Sequence, residues 1–155
     1  MANTKKTAVL PLIPVRGIII FPSMILHFDV ARKRSAAALE AAMANGQQVF
    51  LAAQKDLSVE KPGENDIYKI GTVARVKQML KLPGNMVRVL VEGLYRAKIT
   101  DFMQTEPFME CAVSECKSVM RNTGEVEIEA IKRMISEIWR EYETLNPKVS
   151  TELLH

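Results

Sequence analysis

A mostly β domain of the α+β class, closed toward a barrel by about six strands and one helix and followed by a helical segment, is predicted by three observations. Two long strands flank a turn at Leu82-Pro83-Gly84-Asn85. Shorter apolar runs at strand spacing surround one alanine-rich helix. From Glu125 onward the apolar period changes from two to that of an amphipathic helix.

The elements follow in order. Val9–Val15 reads as a strand, and Pro11 and Pro14 each lack a ladder donor, which places it at a sheet edge or a bulge. Ile18–Phe21 is a second apolar piece stopped by Pro22-Ser23. In Met24–Val30, Met24, Leu26, Phe28 and Val30 share one face and His27 and Asp29 the other. No Ser or Cys accompanies that His–Asp pair at a readable spacing, so it reads as a solvated pair without chemistry. Lys33–Asn45 is the helix: six alanines raise its propensity, Leu39, Ala42 and Met43 form its buried stripe, and Gly46 stops it. Arg32-Lys33-Arg34 stand where the helix dipole favours anions, and read as a solvated, solubilising end. Gln47–Gln54 carries a short apolar run, hence a buried strand, and Lys55–Asp66 is a surface loop.

Gly71–Ile99 is the centre of the chain. Pro83 presets its own φ and Gly84 tolerates a positive one, which suits a type II turn between two strands. Ala74, Val76 and Leu80 alternate with Arg75, Lys77 and Lys81 on the incoming arm, while Val87, Val89 and Val91 oppose Arg88 and Glu92 on the outgoing arm. One face is for a core and the other for water. Phe102–Cys116 is a closing strand, which sets a β-rich domain over residues 8–117 and a helical segment over 118–155.

In that segment Asn122 and Glu125 resemble a capping box. Ile128, Ile131, Ile135, Ile138, Tyr142 and Leu145 follow a 3-4 spacing, with Met134 and Trp139 widening the stripe and Glu129 and Arg133 forming an i,i+4 pair. The stripe either faces the core of the same domain or forms a seam for a neighbouring helix, including that of a second subunit. Asn146-Pro147 ends the helix, and Ser150–Leu154 opens another, so a longer polypeptide is expected.

Composition excludes several classes. With 155 residues, 48% hydrophobic and 25% charged, the chain is an ordinary globular protein and not a disordered one. A net charge of +3 is too small to imply a polyanionic partner. Lys5-Lys6 before an apolar run imitates a signal peptide, but Pro11, Pro14 and Arg16 break it and no small-residue cleavage site follows. Gly17–Pro22 falls far short of the roughly 18 residues of a membrane-spanning helix. Cys111 and Cys116 lie too far apart along an extended strand to pair, so both read as reduced thiols of a cytosolic protein. The sequence contains no GxxxxGK[ST] phosphate loop and no Ser-Lys pair in a catalytic context. No metal ligands, cofactor site or catalytic residues are assigned.

The chain resembles the N-terminal domain of the Lon family of ATP-dependent proteases. The resemblance is carried by LPLIPVRGIIIFPSMILHFDVAR at Leu10–Arg32, SAAALEAAM at Ser35–Met43, LAAQK at Leu51–Lys55 and, above all, IGTVARVKQMLKLPGNMVRVLVEGLYRA at Ile70–Ala97. It implies a PUA-like pseudo-barrel followed by helices, upstream of an ATPase module and a serine-lysine protease module in a cytoplasmic hexamer. It also implies a role in recruiting unfolded or damaged protein substrates and in assembly, with ATP and Mg confined to the downstream ATPase. A free-standing Lon-like substrate-binding domain, or an RNA-binding module by analogy with other PUA-like barrels, are the alternatives.

Receptors for unfolded chains need adaptable apolar surface, and the nine methionines supply it. Met79, Leu80, Leu82 and Met86 at the hairpin end are the expected contacts, with Met79 on the face of Arg75, Lys77 and Lys81. Met24 and Phe28 are secondary candidates. The stripe from Ile128 to Leu145 is expected to drive self-association.

Overall fold

The computed structural model describes residues 6–117 and 124–146. The chain divides into two compact units, 1–117 and 118–155.

In the first unit, six strands are ordered β2-β5-β4-β3-β1-β6, and β5 also pairs with β6. They are β1 (Thr7–Val15), β2 (Ile25–Val30), β3 (Gln48–Ala53), β4 (Ile70–Leu82), β5 (Met86–Gln104) and β6 (Met109–Glu115), with helix α1 (Lys33–Ala44) between β2 and β3. The β5–β6 pairing closes β5, β4, β3, β1 and β6 into a ring, and β2 lies outside it as a flap on the first part of β5.

Two apolar cores share these strands. The ring core contains Leu10, Leu12, Phe50, Val73, Ala97, Ile99, Met109, Cys111 and Val113, drawn from all five ring strands. The helix-side core packs Ala38, Leu39 and Ala42 of α1 against Ile13, Val15, Val49, Leu51, Ala74, Val76, Val89 and Val91. β3 therefore buries both faces, Val49 and Leu51 one way and Phe50 and Ala52 the other, which is why its sequence shows an apolar run instead of alternation. In α1, Ser35, Ala38, Leu39 and Ala42 recur at i, i+3, i+4 and i+7 and form the buried stripe, with Met43 packed at its margin. Gly46 adopts φ 74°, and the Gln47 amide donates back to the Ala42 carbonyl at 2.8 Å, the six-to-one closure of a Schellman end.

Three expectations need correction. β1 is not an edge strand, since it lies between β3 and β6. Its two halves nevertheless have one neighbour each: residues Thr7–Leu12 pair with β6 and Leu12–Val15 with β3. The Lys6 carbonyl accepts from the Glu115 amide and the Val15 carbonyl from the Gln54 amide, so alternation turns the nitrogens of Pro11 and Pro14 away from the partner strand. The prolines cost no ladder bond. The outgoing hairpin arm does not end near Ile99 but continues as β5 to Gln104, and the closing strand starts at Met109. Thirdly, the hairpin loop is Pro83–Asn85 with Leu82 opposite Met86, and Asn85 (φ 60°) joins Gly84 (φ 78°) in the left-handed region.

The second unit contributes α2, Glu125–Leu145. Glu125 and Glu127 in its first turn complement the dipole, and Glu129 meets Arg133 at 3.6 Å. Gly124 is the N-cap residue; Asn122, expected to cap, and Ser150–Leu154, expected to open a further helix, lie outside the described residues.

Two glycines mark close approaches. A Cβ on Gly71 would run into the Leu51 carbonyl and the Phe50 ring, and one on Gly93 into the Phe21 carbonyl. Gly71→Ala and Gly93→Ala should each destabilise the domain by about 1–3 kcal/mol, the usual penalty of overpacking. Gly63→Ala, which meets only the Asp66 carboxylate at 3.6 Å, should stay within about 0.5 kcal/mol. Urea unfolding of the three variants checks this ordering.

Candidate functional site

Two ion pairs of the first unit hold neighbouring strands together. Arg88 donates to both carboxylate oxygens of Asp29, at 2.7 and 2.9 Å, across the register that sets Asp29 opposite Arg88. The Arg88 hydrogen bond, with the Arg88 charge and to a lesser degree His27 adding to it, lowers the Asp29 pKa below the ordinary carboxylate value. Lys77 meets Glu92 at 2.7 Å and lowers the Glu92 pKa in the same way. Burial in the ring core raises the Cys111 thiol to about 12, with Glu110 adding to the shift, which makes it inert as a nucleophile at neutral pH. Among the described residues no group of three or more His, Cys, Asp or Glu side chains could hold a metal ion, and no helix is long and apolar enough to cross a membrane.

The candidate site is therefore apolar surface. At the hairpin end, two predicted orientations are inverted. Lys77 is an extra residue in β4, since Val76 faces Val91 while Gln78 faces Leu90. Beyond this bulge the strand has exchanged faces. Met79 stands opposite Val89 and packs against the helix-side core, whereas Leu80 stands opposite Arg88 and is 51% exposed. Leu82 is half-buried, and Met86 and Met24 are exposed. Phe28, at 7% exposure, is a core residue and presents no surface for a contact. The expected cluster thus reduces to Leu80 and Met86 at the turn, with Leu82 beside them and Met24 elsewhere, its sulfur accepting from the Phe21 amide at 3.4 Å.

A larger apolar site escaped the sequence reading. Ile19, Phe21, Tyr68 and Ile70, each at least 53% exposed, line one open groove of about 700 Å³. The Ile18–Phe21 connection is fixed there by hydrogen bonds at Ile20 and just beyond Phe21. The Thr72 hydroxyl donates to the Ile20 carbonyl at 2.5 Å, the Ser23 amide to the Gly93 carbonyl at 2.8 Å, and the Gly93 amide to the Met24 carbonyl at 2.8 Å. Ile20 is driven into the core, and the alternation of an extended segment then turns Ile19 and Phe21 outward. Lys69, Arg96 and Lys98 stand at the rim. The available signal was the unbroken Ile18-Ile19-Ile20-Phe21 run between Gly17 and Pro22, an apolar piece with no polar residue to mark an outward face.

On α2 the stripe is accessible. Ile131, Ile135, Ile138, Tyr142 and Leu145 are exposed, with Met134 beside them, while Ile128 is half-buried. Trp139 donates to Glu143 at 2.9 Å and packs its ring 5.8 Å from Tyr142.

Comparison with known proteins places this architecture. A family model described as the ATP-dependent protease La (LON) substrate-binding domain matches residues 9–155. A Lon protease of Clostridium acetobutylicum is 47% identical over 148 residues, 96% of this chain and 19% of the relative. One of Brevibacillus choshinensis is 46% identical over 145 residues, 94% of this chain and 18% of the relative. The chain thus spans about a fifth of the length of these curated relatives. Among solved structures, the N-terminal domain of a Mycobacterium avium complex Lon protease superposes with a TM-score of 0.68 at 19% identity, over 90% of this chain and 70% of that one. A Lon N-terminal domain protein from Xanthomonas campestris gives 0.56 at 14% identity, over 83% and 73%. These two likenesses bear on the fold alone.

Proposed function

We propose a function from one premise: this chain belongs to the ATP-dependent protease La (LON) substrate-binding domain family. It acts as the non-catalytic substrate-recognition and assembly part of a longer cytoplasmic Lon protease, taking unfolded, damaged or regulatory proteins and passing them to ATPase and protease modules elsewhere in that polypeptide. ATP and Mg belong to the ATPase module. The bacterial relatives and the unpaired thiols Cys111 and Cys116 support the cytoplasm as its compartment.

The observation that carries this reading is the convergence of Ile19, Phe21, Tyr68 and Ile70 on one groove of a closed barrel. Unfolded chains differ from folded ones in presenting apolar side chains to water, and a fixed apolar groove gains free energy by covering them without first having to order itself. The rigid ring keeps the groove's own side chains from collapsing into a core. Leu80 and Met86 at the hairpin end form a smaller second contact.

Replacing Ile19, Phe21 and Tyr68 together with Ser should weaken binding of a permanently unfolded model protein by about tenfold or more, since each large side chain contributes roughly 1.5–3 kcal/mol when covered. Thermal stability should hardly change. The pair Leu80→Ser and Met86→Ser should have a smaller effect in fluorescence titrations, and full affinity in both sets of variants would contradict the assignment.

Assembly is assigned to α2. Its exposed 3-4 stripe has Ile at both seam positions, the pattern that favours coiled coils of more than two strands, and a homo-oligomer (a hexamer in the full-length protein) is the proposed state. Sedimentation equilibrium should give an average mass that rises with concentration and returns to that of a monomer on Ile135→Asn with Ile138→Asn. A strict monomer at every concentration contradicts the seam.

A further inference from the structure

A separate opening of about 410 Å³ lies where the end of β1, the start of α1 and the 55–66 loop meet. Its floor is apolar, made by the buried Leu12, Met109 and Pro62. Its walls are cationic. Arg16 donates to the Val59 carbonyl at 3.0 Å; Arg32 donates to Gln54 Oε1 at 2.7 Å and to the same Val59 carbonyl at 3.5 Å. The buried Gln54 is itself held by the Asp56 and Val59 carbonyls, at 2.6 and 2.5 Å. Arg34 donates to the Thr105 carbonyl and lies 3.4 Å from Glu106.

Arg16 and Arg32 are thus positioned by neutral oxygens alone, and among the described residues neither makes an ion pair. Burial is the main cause that lowers the Arg32 pKa, and the like charges of Arg16 and Arg34 add to it, partly offset by Glu60. Guanidinium groups gathered beside an apolar floor, with spare donors and, among the described residues, no carboxylate in ion-pair contact with Arg16 or Arg32, repel one another; Glu60 in the lining offsets this only in part, and an entering anion relieves it further.

We infer that this opening binds an acidic segment of a client polypeptide, a carboxylate seated on Arg16 and Arg32 and the neighbouring apolar side chain against Pro14 and Ala31, the accessible apolar part of the lining. The inference rests on the substrate-binding reading and adds a preference for acidic-apolar sequence to it. A peptide fits better than a nucleic acid: among the described residues no aromatic ring lines the opening to stack a base, and Glu60 in the lining opposes a run of phosphates. Arg32-Lys33-Arg34, which the sequence reads as a solvated end, is in this view the recognition element, with Arg32 and Arg34 half-buried in defined hydrogen bonds.

The test uses a short peptide alternating glutamate and leucine, its glutamine counterpart, and oligouridine, each followed by fluorescence anisotropy with the intact chain. The glutamate peptide should bind about tenfold or more tightly than the glutamine peptide, and salt should erode that advantage. Arg16→Gln with Lys61→Gln, both exposed and both lining the opening, should remove the advantage and leave binding of an unfolded model protein at the apolar groove unchanged. Arg16→Lys, which keeps the charge and loses the planar fork, should retain part of it. Equal affinity for the two peptides, tighter binding of oligouridine, or an advantage that survives Arg16→Gln with Lys61→Gln would overturn the inference. A chain that holds the unfolded protein but treats both peptides alike loses this inference alone, whereas one that holds neither peptide nor unfolded protein loses the proposed function as well.

Discussion

The nineteen residues of β5 hydrogen-bond to three strands in succession, and that shared ladder is the constraint on which the rest of the domain depends. Val87–Glu92 hold β2, Met86–Lys98 hold β4, and Ala97–Gln104 hold β6, which closes the ring. Closure pairs β6 back onto β5, so the sheet's outer edge is β2 alone, apart from the singly paired halves of β1. It also allows one strand to serve two cores, Val89 and Val91 on the helix side and Ala97 and Ile99 inside the ring. Leu94 is an extra residue in β5 opposite the Val73–Ala74 step, and it falls where the strand passes from one core to the other.

That scaffold gives the apolar groove its form. The Ile18–Phe21 segment has no strand partner of its own, so its place depends on Gly93, Thr72 and Ser23, and Gly93 succeeds there because it has no Cβ to displace the Phe21 carbonyl. A contact surface built in this way is exposed without being loose. Apolar side chains on an unsupported loop would collapse on one another and lose the area they could offer a partner. The same logic holds in the cationic opening, where the buried Gln54 and the Val59 carbonyl fix guanidinium groups that would otherwise sample many rotamers.

What was legible in the sequence was whatever depends on local period. The hairpin about Pro83-Gly84, the alanine helix with its Gly46 stop, the doubly buried β3 and the amphipathic α2 all declare themselves through spacing. Met79 and Leu80 were misplaced by a single bulged residue, Lys77, because one insertion inverts every later side chain and leaves no trace in composition. β1 was misplaced for another reason: a proline forbids a donor on one side of a strand, and the change of partner at Leu12 leaves that side free in both halves. The groove was hardest to foresee, since Ile19 and Phe21 meet Tyr68 and Ile70 only through the path of the chain around the ring. The basic triplet was visible, but that it lines an opening, with Arg32 held by Gln54 and Arg34 by Thr105 and Glu106, depends on residues distant in the chain.

The central claim is that a rigid ring, organised by β5, presents the Ile19–Phe21–Tyr68–Ile70 groove as the surface that meets unfolded protein. Residue-resolved hydrogen exchange, with and without a saturating unfolded client, tests it most directly. The account predicts that β5 amides from Val87 to Ile99 exchange most slowly in both states, and that the client adds protection at 18–21 and 67–71. Fast exchange along β5, or client-dependent protection confined to other segments, would contradict it.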